Sequence, residues 1–181
     1  MIPNSEGQMQ FIPWQYVADW RCISCGDCCR LYSVVLDFGE WLGIVKNYGV
    51  EYTASGLSKL FINRRSDGSC TFLNNGSNVG LCRLQHMKPK ACQLWPFKVL
   101  SRPQFGYPSE ALYVYCGKPL FVYADPNCKG LRLGRPTFEF ANYTVEEFVE
   151  IAAGVRSCQF RTTAGIRFSQ PSARFGVMRP S

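Results

Sequence analysis

The period of the apolar positions changes along the chain. Phe38, Trp41, Leu42 and Val45 recur at i, i+3, i+4 and i+7, which turns one face of a helix toward a core. Asp37 stands before this stripe and Glu40 three residues later, the spacing of a capping box, and Gly49 is placed to end the helix. Arg30–Leu36 is rich in β-branched and aromatic residues and reads as a short strand. Residues 51–58 read as a second, weaker helix. Leu60–Asn63 and Thr71–Leu73 flank the turn signal Asp67-Gly68, which predicts a hairpin. Pro89 suits the start of a short helix that Pro96 stops. Residues 97–101, 110–116 and 120–124 read as strands, the last two joined around Gly117-Lys118. Thr144, with Glu147 at the capping-box position, predicts a final helix running to Ser157.

Mixed helical and strand periods with many turn signals give an α+β class. The expectation is a small, loop-rich single domain over residues 20–157, preceded by an extended lead-in (1–19) and followed by an extended arm (158–181). No period of 20–50 residues repeats, and no apolar run approaches a membrane span.

Charge sharpens the division at the C-terminal end. Residues 1–150 hold 15 Lys and Arg against 13 Asp and Glu, a balance of +2. Residues 151–181 hold five arginines and no acid, a balance of +5. Arginine and phenylalanine are adjacent at 160–161, 167–168 and 174–175. Such an arm suits docking on other protein subunits. Nucleic acid, where arginine would meet phosphate and phenylalanine a base, is the lesser expectation, because five arginines over this length is a modest density.

The chemistry lies in the ten cysteines. Cys22, Cys25, Cys28 and Cys29 fall within eight positions, spaced C-x2-C-x2-C-C. Thiols this close in sequence bridge one another only with strain, whereas two thiolates separated by two residues curl readily onto one metal ion or cluster edge. Cys28 and Cys29 are adjacent, so their side chains diverge and one of them is expected to serve a second site. The N-terminus lacks a basic stretch followed by an apolar one, so the expected compartment is the reducing cytoplasm, where thiols serve as metal ligands before they serve as disulfides. Cys70, Cys82, Cys92 and Cys128 are single and remote, each in or beside a predicted turn. Structural zinc and common iron–sulfur clusters both take four thiolates. Three near cysteines with one remote make one site, and the fourth near cysteine with three remote ones makes another. Cys116 and Cys158 read as ordinary small apolar residues rather than ligands, and His86, the single histidine, as a solvent-facing loop residue before it reads as a replacement for one thiolate, the place histidine takes in some [2Fe–2S] centres.

This pattern resembles the CxxCxxCC family of zinc- or iron-chelating proteins. The resemblance rests on Cys22-x2-Cys25-Gly26-x-Cys28-Cys29, on Cys70-Thr71-Phe72-Leu73, on Cys82 followed by Lys88-Pro89-x2-Cys92-x2-Trp95-Pro96-Phe97, and on Cys128-x-Gly130 with Gly134 beyond. It spans residues 20–135. Lys88 stands where the family usually has arginine and Lys129 where it has proline, but every cysteine is in place. The resemblance implies Cys22, Cys25, Cys28, Cys29, Cys70, Cys82, Cys92 and Cys128 as metal ligands.

Three functions follow as expectations. The first is a cytoplasmic iron–sulfur protein holding one or two clusters, [4Fe–4S] before other types, that transfers electrons or supports a larger complex. The second is a structural zinc module that presents an interaction surface. The third is a lysine N-methyltransferase-like enzyme that uses a cluster, since one branch of the family resembles larger flagellin lysine methylases. The sequence points to a non-catalytic subunit over a stand-alone enzyme. The radical spacing C-x3-C-x2-C, G-x-G-x-x-G and a phosphate-binding P-loop are missing, and one histidine in a thiol-rich loop builds no Ser/His/Asp set.

Overall fold

Local chemistry sets one helix firmly. The Asp37 side chain accepts from the Glu40 backbone N–H at 2.8 Å, and the Glu40 carboxylate accepts from the Asp37 N–H at 3.0 Å, so the predicted capping box is complete. In the computed structural model, which describes residues 11–74 and 80–160, the elements run as follows. β1 (Ile12–Pro13), a 3-10 turn and β2 (Val17–Trp20) lead into α1 (Asp27–Leu31), β3 (Val35–Leu36) and α2 (Phe38–Tyr48). β4 (Thr53–Ser55), β5 (Leu60–Ile62), β6 (Leu73–Asn74) and β7 (Leu81–Cys82) follow, then α3 (Lys90–Leu94) and β8 (Phe97–Leu100). α4 (Pro108–Ala111), β9 (Leu112–Tyr115), β10 (Lys118–Ala124), β11 (Leu131–Leu133) and α5 (Val145–Ala153) complete the chain. The class is α+β.

Two small cores organise these pieces. The first lies between α5 and an antiparallel sheet whose longest strand, β10, pairs with β1, β8 and β9. Val145, Phe148 and Val149 on α5 recur at i, i+3 and i+4 and meet Val17, Trp20, Phe97, Val122 and Phe140, all buried. The second core gathers Leu36, Ile44, Ile62, Phe72, Leu73 and Leu84 under α2 and the three-stranded sheet β3-β5-β4. Cys29 and Cys70 are members of this second core.

Several expectations are corrected. The strand expected over residues 30–36 survives only as β3, because the chain leaves Gly26 in a left-handed conformation (φ +75°) and closes a helical turn, Cys29 N–H to Gly26 C=O at 3.0 Å, that runs into α1. The helix expected over 51–58 is instead a 3-10 turn followed by β4, an edge strand paired with β5. The hairpin around Asp67-Gly68 closes at its tip, with Arg64 bridged to Cys70, but its second arm moves on to pair Leu73 with Cys82. Thr144 is itself helical and caps nothing. The helical run opens at residue 138, where the Thr137 hydroxyl accepts from the Phe140 N–H at 3.2 Å, and passes through a wide π-type turn into α5. α5 ends at Gly154, short of the expected Ser157. On α2 the fully buried residue is Ile44, while Phe38 is 67% exposed and stacks on Trp41.

Candidate metal centre

The cysteine loop is a hub onto which the remote segments are fastened by backbone hydrogen bonds. Arg21 N–H donates to Gly130 C=O at 3.1 Å, which brings in Cys128 two residues away. Gly80 N–H donates to Ser24 C=O at 2.7 Å, which brings in Cys82. Cys70 N–H donates to Cys29 C=O at 2.8 Å. Two of these contacts require glycine. A Cβ on Gly80 would lie 2.6 Å from Gly26 Cα, and one on Gly130 would lie 2.2 Å from the Arg21 carbonyl oxygen. Cys92 arrives by another route. α3 is held to α2 through Lys90 N–H and the Glu40 carboxylate (2.6 Å), and Trp95 at its end packs on Tyr32 with ring centroids 4.3 Å apart.

The result is a cavity of about 130 Å³ lined by Cys22, Cys25, Cys28, Cys29, Cys82, Cys92 and Cys128, with Trp20, Tyr32 and Trp95 among its apolar walls. Seven of the eight sequence-predicted cysteines therefore share one space. The eighth, Cys70, lies behind Cys29, with which its thiol exchanges a hydrogen bond. Cys28 and Cys29 do not diverge as their adjacency suggested: the helical turn of α1 leaves their sulfurs 4.0 Å apart. The sulfurs ring the cavity and do not converge: among the described residues no three His, Cys, Asp or Glu side chains already surround one point. Cys116 and Cys158 lie outside this space. Cys116 is exposed at the β9–β10 turn, and Cys158 is half-buried beside His86 in a separate, smaller polar cavity.

Donors are aimed at the sulfurs. The Trp20 indole N–H reaches Cys128 Sγ at 3.4 Å, and the Leu84 N–H reaches Cys82 Sγ at 3.4 Å. Burial pushes the Cys25, Cys82, Cys92 and Cys128 thiols up, and the hydrogen bond from Trp20 partly opposes this at Cys128. Cys29 is also driven upward, first by its hydrogen bond with Cys28 and then by the one with Cys70, because it acts as the shared proton donor. Those same bonds bring Cys28 and Cys70 down to about 7. Lys88, on the cavity wall, adds to the depression at Cys28.

A crowd of thiols in a half-buried space ionises at high cost unless a cation enters, and entry of a metal ion releases their protons. The donor set therefore fits a thiophilic metal: soft sulfur ligands, N–H groups turned toward them, and an apolar surround. Outside the thiols, Asp27 and Lys129 form an ion pair at 2.9 Å across the cysteine loop, and Tyr32 donates to Asp125 at 2.8 Å, tying α1 to the loop that carries Cys128.

The CxxCxxCC family model, described as a putative zinc- or iron-chelating domain, matches residues 21–129. The chain belongs to the CxxCxxCC family. Comparisons with curated proteins and with solved structures give no match. Within this family member, the cysteines stand out by their spacing, Gly130 by the Cys128-x-Gly130 motif and Trp20 by its place beside the cysteine loop, whereas no motif marks Gly80 as a support of the site. Gly80 stands two residues from Cys82, as Gly130 does from Cys128, the one signal that could have marked it.

Proposed function

We propose that the protein is a cysteinyl iron–sulfur protein that transfers electrons, or supports a cluster, within a larger assembly in the cytoplasm. The observation that carries this reading is the cavity itself. A single four-thiolate ion draws its sulfurs to about 2.3 Å and fills the space between them. Seven thiols around about 130 Å³ leave room for several atoms. Trp20, Tyr32 and Trp95 shield that volume from water, a setting that tunes cluster potential. Bound there, a cluster would supply one-electron chemistry; four of the cavity cysteines would hold each cluster while the aromatic walls limit solvent.

Structural zinc is the second reading, and the second core favours it. Apart from α2, that core is built from strands of two or three residues with cysteines among its members, the kind of structure that a four-thiolate ion staples. The Arg-rich arm, of which residues 161–181 lie outside the described residues, is proposed to dock on another protein subunit. Deleting 161–181 should release the protein from its complex and leave its metal content unchanged; loss of metal as well would sink that assignment.

The deciding experiment is anaerobic purification followed by iron, zinc and acid-labile sulfide analysis with an EPR spectrum. About eight iron and eight sulfide per chain corresponds to two [4Fe–4S] clusters, and about half that to one. Zinc without sulfide would remove the electron-transfer reading.

A further inference from the structure

Cys92 reaches the cavity on a helix that cannot hold itself. α3 has five residues, and Pro89 ahead of it supplies no side-chain cap. A helix this short is unstable alone, and its last carbonyls have no partner within it. The contacts that hold α3 come from elsewhere in the chain. Glu40 on α2 takes the Lys90 N–H at one end. The other end is held by the segment that follows α5. After Gly154 the chain reverses, with the Val155 and Arg156 N–H groups returning to the Glu150 C=O. Arg156 pairs with the Glu150 carboxylate at 2.6 Å. Phe160 N–H donates at 2.7 Å to the carboxylate of Glu147, which is 1% exposed. These contacts lay residues 156–160 as a strap across α3. On that strap, the Gln159 side-chain amide donates to the Gln93 carbonyl and accepts from the Lys88 ammonium at 3.4 Å. The Gln93 side-chain amide donates in turn to the Lys88 carbonyl at 2.6 Å. Lys88, Gln93 and Gln159 thus close a ring around the stretch that carries Cys92. The Lys90 ammonium adds a bond to the Ala152 carbonyl at 2.8 Å, tying the same helix to the last turn of α5. The ring holds Gln93 at a cost, since its Oε1 is buried and has no donor among the described residues.

We propose that Gln159 and Glu147 are positioning residues for the Cys92 ligand. Glu147 fixes the strap through the Phe160 N–H, and Gln159 clamps α3 between Lys88 and Gln93. The Cys92 thiol is then in place before metal arrives, and α3 need not be ordered at the moment of binding. Both residues lie beyond residue 129, where the family match ends, so the support comes from outside the matched segment while the ligand lies inside it. The proposal deepens the cysteinyl-metal reading and rests on it, but holds for an ion as well as for a cluster. Cys128 supplies an internal reference. It is held by the Arg21–Gly130 backbone bond and the Trp20 indole and takes no contact from the strap.

The test uses the full-length protein, purified anaerobically with its metal and exposed to excess EDTA and iodoacetamide. Metal loss is followed by elemental analysis, and alkylation is read separately at the Cys92 and Cys128 peptides by mass spectrometry. Gln159→Leu should lose metal about tenfold faster than wild type. Its Cys92 should be alkylated well ahead of Cys128, where wild type shows no such lead. Glu147→Leu should behave alike, whereas Glu147→Gln, whose side-chain oxygen still accepts from the Phe160 N–H, should restore wild-type rates. Tyr123→Phe is the stability control. It removes the bond from Tyr123 to the Gly106 carbonyl, away from the clamp, and should lower the denaturant midpoint without changing the Cys92 to Cys128 ratio. Should Glu147→Leu fail to fold, Gln159→Leu decides, because residue 159 is only half-buried. A Gln159→Leu protein with the wild-type alkylation ratio would overturn the proposal, as would a Tyr123→Phe protein that frees Cys92 equally. A wild-type chain that holds no metal would refute the cysteinyl-metal reading instead, and the alkylation ratio in that same chain would still decide whether the strap positions Cys92.

Discussion

The two supports of the metal cavity are made differently. The first core rests on regular elements: seven-residue β10 with three partners, and α5 with an apolar stripe that Phe97 and Trp20 cap with aromatic contacts 4.5–5.8 Å apart. The second core has α2 as its one long helix and otherwise strands of two or three residues, with Cys29 and Cys70 inside it. The buried members of the first core include no thiol, whereas the second core closes over two.

Metal removal should expose this difference most strongly. Structural four-thiolate zinc contributes about 10–16 kcal/mol to small zinc-folded peptides. After chelation, amides around Phe72, Leu73 and Ile44 should lose hydrogen-exchange protection well before those of Val122 and Tyr123. Equal loss in the two regions would break the comparison.

The next largest effect belongs to the close glycine contacts. Gly130→Ala forces a Cβ against the Arg21 carbonyl and loosens the Cys128 wall, and Gly80→Ala forces one against Gly26 and loosens the Cys82 wall. Each should cost about 1–3 kcal/mol in a denaturant titration, with partial loss of metal. Wild-type midpoints in both would show that the loop yields without harm.

The same contrast explains what was legible in the sequence. The capping box of α2, the β9–β10 turn and the loop carrying Cys128 are local devices, each written within a few adjacent residues, and all three are present in the fold. Residues 30–36 and 51–58 depart from expectation for two reasons, a local turn in the first and strand pairing in the second. Gly26 starts a helical turn where β-branched composition suggested strand, and β5 recruits Thr53–Ser55 as its edge. The Thr144 cap failed because Thr137 starts the helical run a full turn or more earlier. In the site, spacing identified the thiols, but no local pattern could show that Gly80 meets Gly26 or that Trp20 donates to Cys128. Those are contacts between segments 54 and 108 residues apart, fixed only when both cores close.

Trp20→Phe offers a finer probe of the Cys128 side of the cavity. Phenylalanine keeps the packing on Phe97 and Phe148 and removes the N–H donor to Cys128. The expected loss is about 1 kcal/mol of stability, with a shift in the metal-centre absorption bands as the sulfur loses its hydrogen bond. Unchanged spectra would mean that the indole only packs.

The smallest effect is the pH dependence of the metal-free protein. Cys28 and Cys70 have folded pKa values depressed to about 7, so their contribution is complete above the unfolded thiol value and is lost as pH falls through about 7. Cys82, Cys92 and Cys128 are raised, so theirs is complete below the unfolded value and is lost as pH rises through their folded values. Stability of the metal-free chain should therefore climb from about pH 6 toward about pH 9 and fall beyond. A Cys28→Ser, Cys70→Ser double variant should lack the rising limb, and chemical denaturation across the range would check it.

Cys116 has a practical consequence of its own. It sits in a left-handed turn (φ +49°) at the tip of the β9–β10 hairpin, exposed, while the other nine cysteines are buried or half-buried. With metal holding the cavity thiols, a maleimide dye or spin label should attach there first without any engineering. The molecule thus carries a natural handle on its paired β9–β10 strands, from which distances to a bound metal could be read.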